Sequence, residues 1–247
     1  MSVRGESKMQ IEKTAHKVYI YACSIADVSL NECNEAIKFL FPERRKKYDR
    51  YRRSDDKKRC LVASMVLDYV LLKHFGVEDI GWYYGDYGKP FLKEYANISF
   101  SVSHAGEWVV VAVGNCNVGI DIEEKQKDMD CLFNAVLSRN EKGLAEQMNG
   151  DEADDYFVMI WTVKEAYSKM IGIGLSKKFT ELDVSYLDAG ISISDRDNII
   201  KTCCIVQKKF KDTYWCSICV EGINSFLSST TEVSFREIMR LAIKSQK

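Results

Sequence analysis

Three apolar segments follow one another in the middle of this chain: Ile98–Ser103, Trp108–Val113 and Val118–Ile122. The turn formers Ala105-Gly106 and Gly114-Asn115 lie between them. Short runs rich in β-branched and aromatic residues, punctuated in this way, predict three strands in succession. The third ends on Gly119-Ile120-Asp121-Ile122-Glu123, which sets two carboxylates two apart in an apolar run. Successive side chains on a strand point to opposite faces. Asp121 and Glu123 are therefore expected on one face, with Ile120 and Ile122 on the other, buried one.

On both sides of these strands the pattern becomes helical. Upstream, Lys17–Ala26 reads as a strand, Asn31–Leu40 as a short helix, and Pro42 opens another. Ser54-Asp55-Asp56 reads as a helix start, a cap residue followed by first-turn acids. Leu61, Met65, Val66, Tyr69 and Leu72 give that helix a broad buried face as far as Phe75, where Gly76 stops it. Residues 85–90 read as a turn-rich loop. Downstream, helices are expected over 130–148 and 153–171, strands near 182–186, 202–207 and 214–220, and a closing helix over 235–243. The order of strand, helices, strands, helices, strands predicts an α+β fold with two similar lobes. They divide into an N-terminal lobe of residues 1–117 and a C-terminal lobe of residues 118–247.

Charge narrows the function classes. Lys plus Arg total 35 and Asp plus Glu 36, a net charge of −1, so no global field draws the chain to nucleic acid or to an acidic membrane surface. No apolar run reaches membrane-spanning length. The nine cysteines are scattered and odd in number, with no apolar leader ahead of them. That pattern is expected of reduced thiols in the cytoplasm. Cys216-Ser-Ile-Cys219 has metal-ligand spacing, but it lies in a strand-like run and no second pair supplies four ligands.

The chemistry concentrates in two strings. On the helix over 153–171, residues four apart share a face, so Trp161, Glu165 and Lys169 form one stripe. Glu165 joined to Asp121 and Glu123 makes three carboxylates without an imidazole, a set that suits Mg²⁺ or Mn²⁺ rather than zinc. Mg²⁺ held by few carboxylates keeps waters and takes its remaining ligands from phosphates, so a phosphate-bearing substrate is expected. The bland alternatives are a solvated strand edge for Asp121 and Glu123 and a surface ion pair for Glu165 and Lys169. His104, at a strand end, is a phosphate ligand or a structural histidine. Lys89, at a tight turn, and the basic run 43–53 are phosphate-facing or merely solvated.

Four ordered strings carry a resemblance. Gly88-Lys89-Pro90, Phe100-Ser-Val-Ser103-His104, Gly119-Ile-Asp121-Ile-Glu123 and Trp161-Thr-Val-Lys164-Glu165-Ala-Tyr-Ser-Lys169-Met-Ile-Gly172-Ile-Gly174-Leu175 together resemble the Sfp-type 4′-phosphopantetheinyl transferases. The match covers residues 88 to 175, with a looser extension back to Pro42. The Trp…Lys-Glu-Ala form looks like the subgroup that activates carrier proteins of secondary-metabolite synthases.

The resemblance implies a cytoplasmic monomer of two pseudo-symmetric lobes with coenzyme A in the cleft between them. It also implies transfer of phosphopantetheine to a serine of an apo acyl or peptidyl carrier protein, in a polyketide, nonribosomal peptide or fatty acid synthase, with release of 3′,5′-ADP. Asp121, Glu123 and Glu165 would be the Mg²⁺ ligands, and Glu165 the acceptor of the serine proton. Lys169 would serve the leaving phosphate. His104 and Lys89 would hold coenzyme A phosphates beside Ser103, with Arg44, Lys47 and Arg59 near the 3′-phosphate. Ile173 departs from the family, which often carries a lysine there. A non-catalytic coenzyme A-binding protein and a different Mg²⁺-dependent phosphate enzyme remain the alternatives. The segment 124–148, with Leu132, Phe133, Val136 and Leu137, is either a carrier-contacting patch or core.

Overall fold

Local signals account for most of the elements. The computed structural model of the chain describes residues 16–78, 81–127, 129–196, 198–222 and 226–244. In its first half the chain forms β1 (Lys17–Ser24), α1 (Leu30–Ala36), α2 (Pro42–Arg50), α3 (Ser54–Phe75), β2 (Trp82–Tyr84), β3 (Pro90–Leu92), β4 (Ser99–Ala105) and β5 (Trp108–Gly114). Ser29 caps α1 in a reciprocal box with Glu32. Pro42 opens α2, where its missing N–H costs no hydrogen bond. The cap of α3 falls one residue earlier than expected: Arg53 occupies it without a side-chain bond, and Ser54 is already helical. Gly76 ends α3 at φ 66°, a left-handed conformation that glycine adopts without Cβ strain. The loop expected over 85–90 is the turn of the β2–β3 hairpin.

The second half contains β6 (Val118–Glu124), α4 (Phe133–Val136), α5 (Arg139–Ala145), α6 (Gly150–Ile171), β7 (Leu182–Leu187), β8 (Gly190–Asp195), β9 (Asn198–Ile199), β10 (Cys203–Phe210), β11 (Tyr214–Glu221), β12 (Phe226–Glu232) and α7 (Phe235–Lys244). The single helix expected over 130–148 is broken. A 3₁₀ turn at Met129–Leu132 leads into α4, Leu137 is extended, and Ser138 restarts the chain by capping α5 through Glu141. The hydroxyl satisfies a first-turn amide that continuous helix would have paired with backbone, so the break is stable. Three of the four apolar residues weighed as a partner surface are core: Phe133, Val136 and Leu137 are buried against Phe157, and only Leu132 is exposed.

The two halves repeat one topology. In the first, β1 precedes α3 and the β4–β5 hairpin, and β1 pairs with β5. In the second, β6 precedes α6 and the β10–β11 hairpin, and β6 pairs with β11. Each 22-residue helix packs on its own sheet. The end of the chain departs from the expected division: β12 pairs in parallel with β1, while Val233, Phe235 and Ile238 join the core of the first lobe. Residues 226–244 thus complete the sheet and core of the first lobe, while Thr230 and Glu232 also bond Lys208 and Lys211 of the second.

A third core binds the lobes. Val18, Ile20, Val110 and Ala112 of the first sheet pack with Ile120, Ile122, Ile218 and Val220 of the second. Complete burial of such an aliphatic side chain stabilises by about 1.5–3 kcal/mol, so this face contributes strongly to holding the sheets together. Cys216 points into this core and Cys219 into the core around α6, on the opposite face of β11. The pair therefore cannot bind one metal.

Candidate active site

The strand orders are β12-β1-β5-β4 and β10-β11-β6, which leaves β4 and β6 as edges. An edge strand presents unpaired backbone groups that must be covered. Here the two edges run beside one another, joined by serines. Ser101 Oγ accepts the amide of Ile120 at 3.0 Å, and Ser103 Oγ donates to Asp121 Oδ1 at 2.7 Å. Ser99, Ser101 and Ser103 alternate along β4 and so share its face toward the second sheet. Phe100 lies on the other face, in the first core.

Helix α6 crosses β6 at unusually short range. A Cβ on Gly119 would lie 1.9 Å from the Ala166 carbonyl oxygen and 2.4 Å from the Met170 nitrogen. Only glycine permits that approach. It seats the Glu165–Lys169 face of α6 over Asp121 and Glu123. Asn149 starts the helix with a capping box to Glu152, and Gly172 ends it at φ 79°.

Asp121 is 2% exposed, which rules out the solvated-edge alternative. Its Oδ1 also accepts from Lys169 Nζ at 2.6 Å, and Lys169 donates to Ser103 at 3.0 Å. Its Oδ2 is buried without a hydrogen-bond partner. Burial pushes Glu123 up to about 7, reinforced by the charge of Asp121 and opposed by Lys169 and the Trp161 indole. Burial also raises Glu165, against the pull of Lys169. Carboxylates crowded in this way lack positive charge.

The donors fit a hard divalent cation: all are oxygens, and the orphaned Oδ2 of Asp121 is available to one. Lys169 already holds Oδ1, and among the described residues no three His, Cys, Asp or Glu side chains form a ready-made cage. The fit is therefore to a cation completed by water and ligand oxygens rather than by protein alone.

Beside these groups opens a cleft of about 320 Å³. Arg44 and Lys47 of α2, Lys89 of the hairpin turn, His104 of β4 and Lys169 of α6 all line it. Arg44 stacks on Trp82 at 4.8 Å. Lys89 donates to the Met170 carbonyl at 2.8 Å. Two residues expected at the coenzyme A site lie outside this lining. Arg59 is outside the lining and donates to Gly106 O at 2.6 Å and to Asp56 Oδ1 at 2.7 Å. Ser103 is engaged between Asp121 and Lys169, on the carboxylate side.

Sequence reasoning missed Lys164. It is fully buried, and its ammonium meets Glu141 Oε2 at 2.5 Å, Val136 O at 2.9 Å and Phe179 O at 2.9 Å. Glu141, 1% exposed, also accepts the amides of Ser138 and Val184, each at 2.7 Å. Burial pushes the ammonium down and the carboxyl up. The pair ties α4, α5 and β7 to the helix that carries Glu165. The available signal was the spacing: Phe157, Ile160, Lys164 and Tyr167 form one helical stripe, which puts Lys164 at a core position.

Comparison with known proteins gives a consistent picture. A model of the 4′-phosphopantetheinyl transferase superfamily matches residues 117–219, and a model of the N-terminal part of a 4′-phosphopantetheinyl transferase matches residues 27–116. The chain is 27% identical to the 4′-phosphopantetheinyl transferase Sfp of Bacillus subtilis (strain 168) over 86% of its own length and 95% of that protein's. It is 29% identical to another Bacillus subtilis 4′-phosphopantetheinyl transferase over 66% of this chain and 74% of that one. With the 4′-phosphopantetheinyl transferase gsp of Aneurinibacillus migulanus it shares 27% identity over 79% of this chain and 80% of the relative.

Proposed function

The chain belongs to the 4′-phosphopantetheinyl transferase superfamily, and on that premise we propose that it transfers 4′-phosphopantetheine from coenzyme A to a serine of an apo carrier protein or carrier domain, releasing 3′,5′-ADP. The observation that carries this reading is the Ser103–Asp121–Lys169 cluster, with its orphaned carboxylate oxygen, beside a cleft lined by cations.

In the reaction the serine oxygen attacks the phosphorus that bears pantetheine, and the bond from that phosphorus to the bridging pyrophosphate oxygen breaks. Such a transfer needs positioning and charge neutralisation more than covalent help. Arg44 and Lys47 neutralise coenzyme A phosphates, and His104, held below its usual pKa by burial and by the charge of Arg59, donates a hydrogen bond to them as a neutral imidazole. Lys169 faces both the cleft and Asp121, which suits it to stabilise the leaving phosphate. Glu165 takes the serine proton, and the burial that raises its pKa makes it a better base. Ser103 positions Asp121 and Lys169. Mg²⁺ or Mn²⁺, held by Asp121, Glu123 and Glu165 with water, would supply further positive charge to the pyrophosphate.

The reading extends to a cytoplasmic monomer acting on carriers of secondary-metabolite synthases. Among the described residues no helix is long and apolar enough to cross a membrane.

The test is incubation with coenzyme A, Mg²⁺ and apo carrier proteins, read by intact mass. A phosphopantetheine adduct is expected, and Asp121→Ala should abolish it without changing the circular dichroism spectrum. Absence of adduct on a range of apo carriers would overturn the proposal.

A further inference from the structure

Lys89 is the only cation of the cleft, among the described residues, whose ammonium bonds to a backbone carbonyl of the opposite lobe. It stands in the β2–β3 turn of the first lobe and reaches Met170 O, at the C-terminal end of α6. The last carbonyls of a helix have no intrahelical partner and sit at the negative end of the helix dipole. At this end the amides of Gly172 and Ile173 both turn back to Ser168 O, while Met170 O receives Lys89. The lysine's aliphatic chain lies over Gly172, where an added Cβ would come within 3.0 Å of its Cδ. The turn that carries Lys89 is closed by its own backbone bonds, Gly85 N to Lys89 O at 2.9 Å and Gly88 N to Gly85 O at 2.8 Å. The anchor is thus pre-set on both sides. Tyr87, Gly88 and Pro90 line one wall of the cleft, and Lys169, Gly172 and Gly174 line the other. Arg44 and Lys47, by contrast, donate no hydrogen bond to protein among the described residues and are available to anions.

We infer that Lys89 is a positioning residue, a latch that ties the β2–β3 turn to the end of α6 and fixes the width of the cleft beside Lys169. This replaces the sequence-based expectation that its ammonium holds a coenzyme A phosphate. The inference rests on the transfer reading of this site. Loss of the latch leaves the phosphate-facing cations in place but lets α6 drift relative to the bound pyrophosphate. Its effect therefore falls on turnover rather than on affinity.

The experiment compares the wild type with Lys89→Ala, Lys89→Met and Lys89→Ala/Gly172→Ala. It measures kcat for carrier modification, affinity for 3′,5′-ADP by calorimetry, and amide hydrogen exchange at Gly85 and Gly88. Both single variants should lose about tenfold or more in kcat with less than about a threefold change in 3′,5′-ADP affinity. Exchange at the two turn amides should speed up. Adding Gly172→Ala to Lys89→Ala should cost only the backbone strain of an alanine at φ 79°, because the lysine stem it would crowd is gone. A tenfold loss of 3′,5′-ADP affinity with kcat retained would make Lys89 a phosphate ligand and overturn the latch, as would unchanged exchange. If the wild type modifies no carrier, the transfer reading fails, while hydrogen exchange still decides whether the latch exists.

Discussion

Replacing Lys164 by Met tests whether the buried ion pair holds the catalytic helix in register. Methionine keeps the volume and most of the methylene stem, so the loss is almost purely electrostatic. Three hydrogen bonds disappear, to Glu141, Val136 and Phe179. Glu141 stays in a site with 1% exposure, supported only by the amides of Ser138 and Val184. Removing one partner of a buried pair costs about 3–5 kcal/mol, because the remaining charge is uncompensated. For a chain of this size about 4 kcal/mol corresponds to a Tm lower by roughly 8–16 °C. Glu141→Gln should cost less, about 2 kcal/mol, since the ammonium keeps two carbonyls and the amide oxygen can still accept. The double variant should be at least about 2 kcal/mol more stable than the two single losses summed, as expected of groups in direct contact. Urea denaturation followed by circular dichroism gives all four corners of the cycle. A loss below about 1 kcal/mol for Lys164→Met, or additive single losses, would refute the account of Lys164 as a structural anchor.

Gly119→Ala places a methyl 1.9 Å from the Ala166 carbonyl oxygen, so α6 must shift; a loss of about 3 kcal/mol in urea denaturation is expected, with transfer activity falling further than stability. Asp68 is half-buried in the wall of a cavity of about 460 Å³ between α3 and α7, and burial pushes its carboxyl up to about 7, only partly opposed by Arg44. Its folded pKa exceeds the unfolded value, so the stability it contributes is present at low pH and is lost as pH rises from about 4 to about 7, by roughly 2–4 kcal/mol. Asp68→Asn should flatten that slope in Tm-versus-pH scans, and a slope unchanged in the variant would reject the assignment. Chelation with EDTA should stop carrier modification and added Mg²⁺ or Mn²⁺ restore it; modification that continues in EDTA would count against a metal held by Asp121, Glu123 and Glu165.

Local periodicity made much of this structure readable in advance. The strands β4, β5 and β6 appear where alternation placed them, and Ile120 and Ile122 are fully buried behind Asp121 and Glu123. Helices α3 and α6 follow from their apolar stripes and end at Gly76 and Gly172. The errors arise where partners are distant in sequence. The resemblance set Arg59 near a coenzyme A phosphate, whereas Gly106 O and Asp56 engage it. Nothing near β12 indicates that its partner is β1. Lys164 stands next to Glu165 and reads as a surface charge unless its apolar stripe is followed turn by turn. The proposed site was the more legible part, because Asp121 and Glu123 share a strand face and Glu165 and Lys169 a helix face. How the faces meet depends on Gly119, whose role is visible only once α6 lies on it.

The parallel pairing of β12 with β1 has a consequence for how the protein comes into being. Lys17 pairs with Phe226 and Ala22 with Glu232, so the sheet formed first in synthesis is completed last. A nascent chain that has made β1, α3, β4 and β5 must wait for the whole second lobe before Val233, Phe235 and Ile238 can close its core. Contacts of such long sequence separation form slowly and leave apolar surface exposed meanwhile. The two lobes therefore do not mature as independent halves in order of synthesis. The last strand and helix act as the clasp of the first, and truncation within 226–244 should unravel the N-terminal lobe before it disturbs the second.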